Sequence, residues 1–265
     1  MIINISACAT VKNEAPYLEE WLRYHSLQGV EHFYIHDDES TDGTMNILKE
    51  WETAGKATIY TGFRKPNVPP QRAFYDFIAK EKKDETKWCA FLDIDEFYHG
   101  EKTMNELLSG LNDNVSAMEI GWCHYGSDGL LENDGRLVIE RFLKHSDSSF
   151  YRNWYPKTIA KLANVVKCRN VHIFEYSDGI ILNSDLKDIT RYDFNKRLNQ
   201  IDSYWKACRI NHYYVKSLAE YREKMKKGYA DSAARRTYQF RLHDRNTHYD
   251  ASILKWVEPI KNFKM

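Results

Sequence analysis

The sequence lacks three features that would narrow its function at once: a net charge, a long apolar run and a close cysteine pair. Lysine plus arginine and aspartate plus glutamate each number 38, so no overall field favours nucleic acid or an acidic partner. No segment approaches the roughly 18 uninterrupted apolar residues of a membrane helix, and the first residues lack the basic leader typical of a signal peptide. The five cysteines are widely spaced without a Cys-x-x-Cys pair, which predicts reduced, mostly buried thiols in a cytoplasmic protein.

Positive charge is concentrated toward the end of the chain. From Arg222 onward there are 11 basic and 5 acidic side chains, so this segment carries +6 and residues 1–221 carry −6. Such a segment can contact an anionic membrane surface, and a solvated helical face explains the same pattern. Peripheral contact with the inner face of a membrane is therefore one expectation for it.

Strand and helix patterns alternate through the first hundred residues. Four segments read as strands: INISACATV, EHFYIHD, KATIYTG and KWCAFLDIDEFY. Three read as the helices between them: EAPYLEEWLRYHSLQG, STDGTMNILKEWETAG and PPQRAFYDFIAKEKK. Strands separated by helices of this length favour parallel pairing with right-handed crossovers. The predicted fold class is therefore α/β, with a Rossmann-like, mostly parallel central sheet flanked by helices.

The pattern changes after residue 115. VSAMEIGWCHYGSDG, GRLVIERFLKH and KTIAKLANVVKCRNVHIFEY indicate strands and loops, whereas RYDFNKRLNQIDSYWKACR and SLAEYREKMKKGYADSAARRTYQFR indicate helices. No internal repeat, low-complexity tract or linker interrupts the chain. We predict one domain over residues 1–215, with halves of 1–115 and 116–215, and a helical extension over 216–265.

Polar side chains follow three of the first four predicted strands. The loops after parallel strands open on one edge of the sheet, which is where ligands bind in such folds. The residues concerned are Thr10, Lys12, Asn13 and Glu14 after the first strand, Asp37, Asp38, Glu39, Ser40 and Asp42 after the second, and Asp93, Asp95 and Glu96 after the fourth.

The three carboxylates after the fourth strand need a positive partner, because like charges at this spacing favour the neutral acid. In an extended segment Asp93 and Asp95 point the same way while Ile94 returns to the core. Mg²⁺ and Mn²⁺ bind one or two carboxylates together with phosphate oxygens, so nucleotide-sugar binding fits this chemistry. A solvated strand end is the alternative, since a chain with 38 acidic residues contains Asp-x-Asp triplets by chance.

Longer segments of the sequence resemble a known group of enzymes. ACATVKNEAPYLEEWLRYHSLQGVEHFYIHDDESTDGT and WCAFLDIDEF resemble glycosyltransferase family 2-like and family 92 enzymes. The similarity continues through GWCHYGSDG, KTIAKLANVVKCRNVHIFEY and INHYYVKSLAEYREKMKKG, over roughly residues 5–230. The resemblance implies a type A glycosyltransferase fold and a metal-dependent, inverting transfer of a hexose from a nucleotide sugar, such as a UDP-hexose, to a glycan or lipid-linked acceptor.

The resemblance also implies roles for individual residues. Residues 1–115 would bind the donor and residues 116–215 the acceptor. Asp93 and Asp95 would hold Mn²⁺ or Mg²⁺, and His212 would return to the metal or diphosphate, with His172 as a competing candidate. The implied donor-binding residues are Thr10, Lys12, Asn13 and Glu14 around the nucleotide, Asp38 beside uracil or ribose, Arg72 on the diphosphate, and Asp93, with Lys157 and Lys161 as further phosphate candidates.

An inverting transfer needs a carboxylate base near the acceptor hydroxyl and a positive charge that stabilises the leaving group. Asp128 is the first candidate for the base, because it lies in a loop beside Gly129 where a side chain can approach a substrate; a plain turn residue is the alternative. Glu119, Glu132 and Glu175 remain open as bases, and Trp122, Tyr125 and Trp154 as sugar-stacking residues.

Three other classes compete with a transferase. A non-catalytic nucleotide-sugar or glycan-binding protein would keep the same residues without turnover. A haloacid-dehalogenase-like phosphatase also uses Asp-x-Asp, but normally near the chain start and followed soon by Thr or Val, whereas Glu96 and Phe97 follow here. A nucleotidyltransferase would need a glycine-rich loop near the amino terminus with adjacent Arg and Lys, and the sequence has none.

Overall fold

A nine-stranded sheet forms the centre of the computed structural model, which describes residues 2–64, 69–200, 205–227 and 238–265. The strands are β1 Ile3–Val11, β2 His32–Asp37, β3 Ala57–Tyr60, β4 Thr86–Phe91, β5 Glu96–Gly100, β6 Val115–His124, β7 Lys144–His145, β8 Pro156–Lys161, β9 Val165–Cys168, β10 Phe174–Tyr176, β11 Ile180–Asn183, β12 Cys208–His212 and β13 His248–Tyr249. The α-helices are α1 Ala15–Leu27, α2 Thr44–Thr53, α3 Pro70–Glu81, α4 Met104–Ser109, α5 Val138–Arg141, α6 Phe194–Leu198, α7 Leu218–Lys227, α8 Phe240–His243 and α9 Val257–Lys261.

The strand order of the main sheet is β3-β2-β1-β4-β8-β6-β12-β5, and β11 also pairs with β6. The first four strands of this order are all parallel. Beyond them the sheet is mixed, because β8 runs antiparallel to both β4 and β6, and β12 runs parallel to β6 but antiparallel to β5. The α/β class is confirmed, and the predicted parallel pairing holds for β1 to β4, whereas β5 pairs antiparallel with β12.

Hydrophobic packing covers both faces of the sheet. Alternate residues of β1 point to opposite sides, so Ile5, Ala7 and Ala9 join one buried cluster and Cys8 joins the other. The larger cluster includes Trp21 of α1, whose indole N–H donates to the Glu96 carbonyl over 2.9 Å. All five cysteines are buried and unpaired, as predicted.

Three sequence-based predictions of secondary structure were wrong in part. KWCAFLDIDEFY is two strands, β4 and β5, separated by a turn. GRLVIERFLKH forms the short helix α5 and only the two-residue strand β7 at its end. The Glu20 carboxylate stabilises the start of α5 by accepting the N–H groups of Val138 and Ile139 over 2.7 and 3.1 Å. RYDFNKRLNQIDSYWKACR forms only the short helix α6 before β12 begins; residues 201–204 lie outside the described part.

The predicted helical extension packs back onto the domain. The Phe263 ring stacks on Trp51 with 5.8 Å between centroids, and Lys261 Nζ lies 2.8 Å from the Glu140 carboxylate. Residues 228–237, which hold part of the basic segment, lie outside the described residues. Within the described residues, none of the helices combines the length and the apolar character needed to cross a bilayer.

One buried histidine should make stability depend on pH. His25 of α1 is fully buried, with Nδ1 2.9 Å from the Trp21 carbonyl and the Tyr98 N–H donating to Nε2 over 3.4 Å. Burial lowers the pKa of His25 to about 3. The unfolded imidazole titrates near pH 6.5, so its contribution to stability is complete above that pH and falls as the pH drops toward 3.

We expect this group to remove about 2 kcal/mol of unfolding free energy between pH 7 and pH 5. Urea denaturation of the wild type and of His25→Gln at both pH values measures the difference. The variant should lose less stability on acidification than the wild type. An identical loss in both proteins would show that folding does not lower the pKa of His25.

Candidate active site

A cavity of about 550 Å³ opens where β1, β4 and β12 end. Many parts of the chain line it, among them the loop after β1, the turn between β4 and β5, the segment after β12, and α7. Most of the predicted site residues are brought together here. They are Thr10, Lys12, Asn13, Glu14, Asp93, Asp95 and His212, together with the competing candidate His172.

The loop after β1 is held rigidly by the loop after β2. Asn13 has a left-handed backbone with φ of 53°, its N–H donates to Ser40 Oγ over 2.9 Å, and its side-chain oxygen accepts the Thr41 N–H over 2.7 Å. Asparagine tolerates this backbone region better than most residues. Thr10 lies beside it, and its buried hydroxyl has no hydrogen-bond partner in the described structure. The polar groups of this loop that line the cavity are therefore held in a fixed arrangement by its hydrogen bonds.

Asp93 and Asp95 lie in a tight turn rather than in the extended strand that the sequence suggested. The Glu96 N–H donates to the Asp93 carbonyl over 3.1 Å, and the Asp93 N–H donates back to the Glu96 carboxylate over 2.8 Å. Ile94 is buried, as predicted, and both aspartates line the cavity. The turn thus directs both aspartates toward the cavity and Ile94 toward the core, as predicted, although the backbone is not extended.

The Asp93 carboxylate contacts a glutamine and a buried lysine. Gln71 Nε2 donates to its carboxylate over 2.5 Å, and Lys157 Nζ lies 3.1 Å from it and 3.4 Å from Glu96. Burial alone would raise the pKa of Asp93, but the Lys157 charge lowers it overall. Burial, reinforced by the Asp93 charge, raises the pKa of Glu96 well above its usual range. Asp93 and Lys157 therefore form a charged pair next to the buried Glu96.

Asp95 faces the cavity and has two partners on one oxygen. Its Oδ2 forms an ion pair with Lys224 Nζ and lies 3.6 Å from His212 Nε2. Burial alone would raise the pKa of Asp95, but Lys224 and His212 hold it well below its usual range. Burial lowers the pKa of His212, so its imidazole is neutral near pH 7. Asp95 and His212 are thus an anionic and a neutral ligand side by side.

This pair fits a divalent cation. A distance of 3.6 Å is too long for a hydrogen bond, but one ion with bonds of about 2.1 Å can contact both atoms. Ligand atoms of Asp95, Glu96 and His212 all lie within 4.8 Å of one another. Glu96 stands in this group where the sequence predicted Asp93, so the role of Asp93 as a direct ligand stays a prediction.

His212 is better placed for this role than His172. His172 Nδ1 is 3.0 Å from the Pro156 carbonyl, and burial lowers the pKa of His172 to about 4. Trp122 lies between the two imidazoles, with its ring 4.3 Å from His212 and 5.1 Å from His172. Trp122 lines the cavity, whereas the other two aromatic candidates, Tyr125 and Trp154, are not among the described residues that do so.

Three predicted site residues are not among the described residues that line the cavity. The Asp128 carboxylate accepts the backbone N–H groups of Leu143 and Lys144 over 3.2 and 3.0 Å, so it ties two loops together, and its role as the base stays a prediction. Arg72 is exposed on α3, and its neighbour Gln71 reaches the site instead. The buried Asp38 carboxylate is paired with Arg64 and lies 3.7 Å from Lys12 Nζ.

The structure distinguishes the alternative candidates for the base and for phosphate binding by their partners and by their position relative to the cavity. Glu119 is buried in an ion pair with Arg197, and Glu175 pairs with Arg169. Lys161 donates to the Asp113 carbonyl over 2.5 Å and, like Lys157, is not among the described cavity-lining residues. Of the alternative bases, Glu132 is the one that the structure brings to the cavity.

Sequence reasoning missed the lysines around α7. Lys216, Lys224 and Lys227 all line the cavity, although the segment was predicted to be a separate extension. Lys224 and Lys227 lie three residues apart on one helix face, which is the only signal that the sequence carries for them. Nothing in that spacing shows that the face turns toward the strand ends.

Comparison with known proteins gives the family. The model of glycosyltransferase family 92 matches residues 4–250, so the chain belongs to this family. A family 92 protein of Ricinus communis is 30% identical over 138 residues, and one of Arabidopsis thaliana is 34% identical over 139 residues. Each match spans 48% of this chain and 24% of the relative, so the chain matches about a quarter of the length of these proteins. The family assignment lends no support to a dehalogenase-like phosphatase.

Solved structures give weaker similarities. Residues 1–349 of S. aureus TarS match with a TM-score of 0.38 and 13% identity over 61% of this chain and 48% of that one. The same protein in complex with UDP matches with a TM-score of 0.39 and 16% identity over 61% and 47%.

Proposed function

We propose that the protein is a metal-dependent, inverting glycosyltransferase that moves a hexose from a nucleotide sugar, in the first instance a UDP-hexose, to a hydroxyl of a glycan or lipid-linked saccharide. The observation that carries the proposal is the ionised Asp95 beside the neutral His212 at the strand-end cavity of a family 92 chain. A carboxylate and an imidazole in this position suit a cation that carries a diphosphate.

The cavity has the size and lining for a nucleotide-sugar donor. Its volume of about 550 Å³ lies within the range of ligand sites in proteins. The unsatisfied Thr10 hydroxyl, Lys12 and the rigid Asn13 offer polar contacts for the nucleotide. Asp38 would act indirectly, by orienting Lys12 through their contact of 3.7 Å.

Asp95 and His212 would hold Mn²⁺ or Mg²⁺, with Asp93 close by. When bound, the ion supplies positive charge for the diphosphate that leaves in the transfer. The chain itself keeps the site ready for it, because Lys157 and Gln71 fix Asp93 and the buried Glu96 closes the turn. These contacts hold the ligand side chains in place before the donor arrives, which lowers the cost of organising the site.

Glu132 is the proposed base. The other carboxylates that line the cavity are already engaged: Glu14 with Lys227, Asp42 with backbone N–H groups, Asp93 with Lys157, Asp95 with Lys224, Glu220 with Arg141 and Glu223 with Lys226. Within the described residues Glu132 has no cationic partner, and it is exposed on the loop of the acceptor half. It can therefore accept the proton of the attacking hydroxyl as the bond to the anomeric carbon forms.

A donor panel tests the proposed function. Purified protein would be incubated with UDP- and GDP-hexoses and N-acetylhexosamines, with Mn²⁺ or with EDTA, and the released nucleoside diphosphate measured. We expect metal-dependent release from one donor class. Metal-dependent nucleotide binding without any release would favour the non-catalytic alternative, and neither binding nor release would refute the proposal.

A further inference from the structure

Three lysines of one short segment reach into the proposed donor site. Lys224 Nζ contacts the Asp95 carboxylate and lies 3.0 Å from the Tyr214 carbonyl. Lys227 Nζ contacts the Asn13 carbonyl and lies 3.0 Å from the Glu14 carboxylate. The segment therefore links α7 to the loop after β1 and to the turn after β4.

The third lysine, Lys216, is held in an unfavourable position. Its side chain is buried, with Nζ 4.3 Å from the centre of the Tyr17 ring, and its backbone has a left-handed φ of 53°. A non-glycine residue in this region is strained and persists where the surrounding structure enforces it. Burial lowers the pKa of Lys216 to about 8, which reflects the cost of keeping an ammonium group inside the cavity.

We infer that Lys216, Lys224 and Lys227 form the diphosphate-binding group of the donor site, and that Lys224 and the divalent cation exchange on Asp95. This inference rests on the proposed function. Lys224 Nζ and His212 Nε2 both approach the same oxygen of Asp95, Oδ2, so a cation held between Asp95 and His212 takes the place of the ammonium group. The displaced ammonium stays in the cavity, where phosphate oxygens replace the carboxylate.

Charge balance supports the exchange. A diphosphate brings two or more negative charges into a cavity in which Asp95 is already paired with Lys224 and Glu14 with Lys227. Lys224 and Lys227 can each turn from a carboxylate to a phosphate oxygen without leaving the cavity, and a lysine binds phosphate as a mobile point charge. Lys224 would thus neutralise Asp95 when no metal is bound and the diphosphate when metal is bound.

Lys226 provides a matched control on the same helix. Its side chain is exposed and pairs with Glu223 three residues earlier, and it is not among the described residues that line the cavity. Lys226→Gln removes the same charge from α7 as Lys224→Gln or Lys227→Gln. An effect on binding that comes only from removing a positive charge from α7 should therefore appear in all three variants. An effect that depends on a lysine inside the donor site should appear only in Lys224→Gln and Lys227→Gln.

The experiment measures binding rather than turnover. Free Mn²⁺ is followed by electron paramagnetic resonance without nucleotide, and UDP binding by calorimetry at saturating Mn²⁺. In Lys224→Gln we expect Mn²⁺ to bind about threefold to tenfold more tightly and UDP about tenfold more weakly. In Lys227→Gln we expect weaker UDP binding at unchanged Mn²⁺ affinity, and Lys226→Gln should match the wild type.

The outcomes separate the inference from the proposed function. Wild-type protein that binds no UDP at any Mn²⁺ concentration would overturn both. Wild-type binding with unchanged UDP affinity in folded Lys224→Gln and Lys227→Gln would overturn the inference alone. If Lys224→Gln does not fold, Lys227→Gln, whose ion pair is partly exposed, still decides whether the lysines bind the diphosphate.

Discussion

Replacing Asp95 with asparagine should lower donor turnover by about 10³-fold, because a metal-supplied charge stabilises the leaving group by several kcal/mol. Asparagine keeps the shape of the side chain but removes the negative charge that His212 and Lys224 face. The variant should remain folded, since Lys224 keeps the Tyr214 carbonyl as a partner. Nucleoside diphosphate release at saturating donor and Mn²⁺ measures the effect.

Glu223→Gln is the control for Asp95→Asn. Glu223 also lines the cavity, but it is largely exposed and pairs with Lys226. Its neutralisation should leave turnover within about threefold of wild type, as expected for an exposed pair worth under 1 kcal/mol. A folded Asp95→Asn protein that turned over donor within tenfold of wild type would show that Asp95 does not hold a catalytic cation.

Replacing Glu132 with glutamine should reduce transfer to an acceptor by about 10² to 10⁴-fold, the usual contribution of a positioned general base. Glutamine has the same size and cannot take the proton. UDP binding should stay unchanged, because Glu132 is proposed to act on the acceptor hydroxyl and not on the donor. Initial rates of transfer and a UDP titration of the same preparation separate the two effects.

Asp128→Asn is the informative companion to Glu132→Gln. The Asp128 carboxylate accepts two backbone N–H groups, and an amide oxygen can keep one of them. We therefore expect a modest loss of stability, about 1 kcal/mol, with little change in the rate of transfer by folded protein. A large rate loss in Asp128→Asn together with a normal rate in Glu132→Gln would restore Asp128 as the base.

The first hundred residues could be predicted well because local rules decide their structure. Each strand is a short apolar run followed by an amphipathic helix, and parallel pairing follows from that alternation. The polar residues after β1 and β4 were therefore assigned to one edge of the sheet, and the structure places Thr10, Asn13, Asp93 and Asp95 around one cavity.

The second half was harder because its partners are distant in sequence. β5 pairs with β12 through residues more than a hundred positions apart, such as Glu96 and His212. The helix α5 depends on the carboxylate of Glu20 from α1, and no pattern within GRLVIERFLKH shows this contact. Tertiary hydrogen bonds therefore overrode the local strand signal there.

The acidic side chains of the candidate site could be predicted from the sequence, but the lysines that pair with them could not. Clustered carboxylates at a strand end require a positive partner, which the sequence makes clear from their spacing alone. Which lysine supplies the charge depends on how Lys157 of β8 and Lys224 of α7 meet the turn after β4. The sequence cannot decide the role of Asp128, because a glycine-flanked loop can hold a structural carboxylate as readily as a catalytic one.

The central claim is that the strand-end carboxylates bind the cation that carries the donor diphosphate. Calorimetric titration of UDP into the wild type, with Mn²⁺ and with EDTA, and into Asp95→Asn with Mn²⁺, tests it most directly. We predict one UDP bound per chain with Mn²⁺, and binding at least tenfold weaker both in EDTA and in the variant. Equal UDP affinity under all three conditions would mean that lysines alone bind the nucleotide and that Asp95 has no metal to hold.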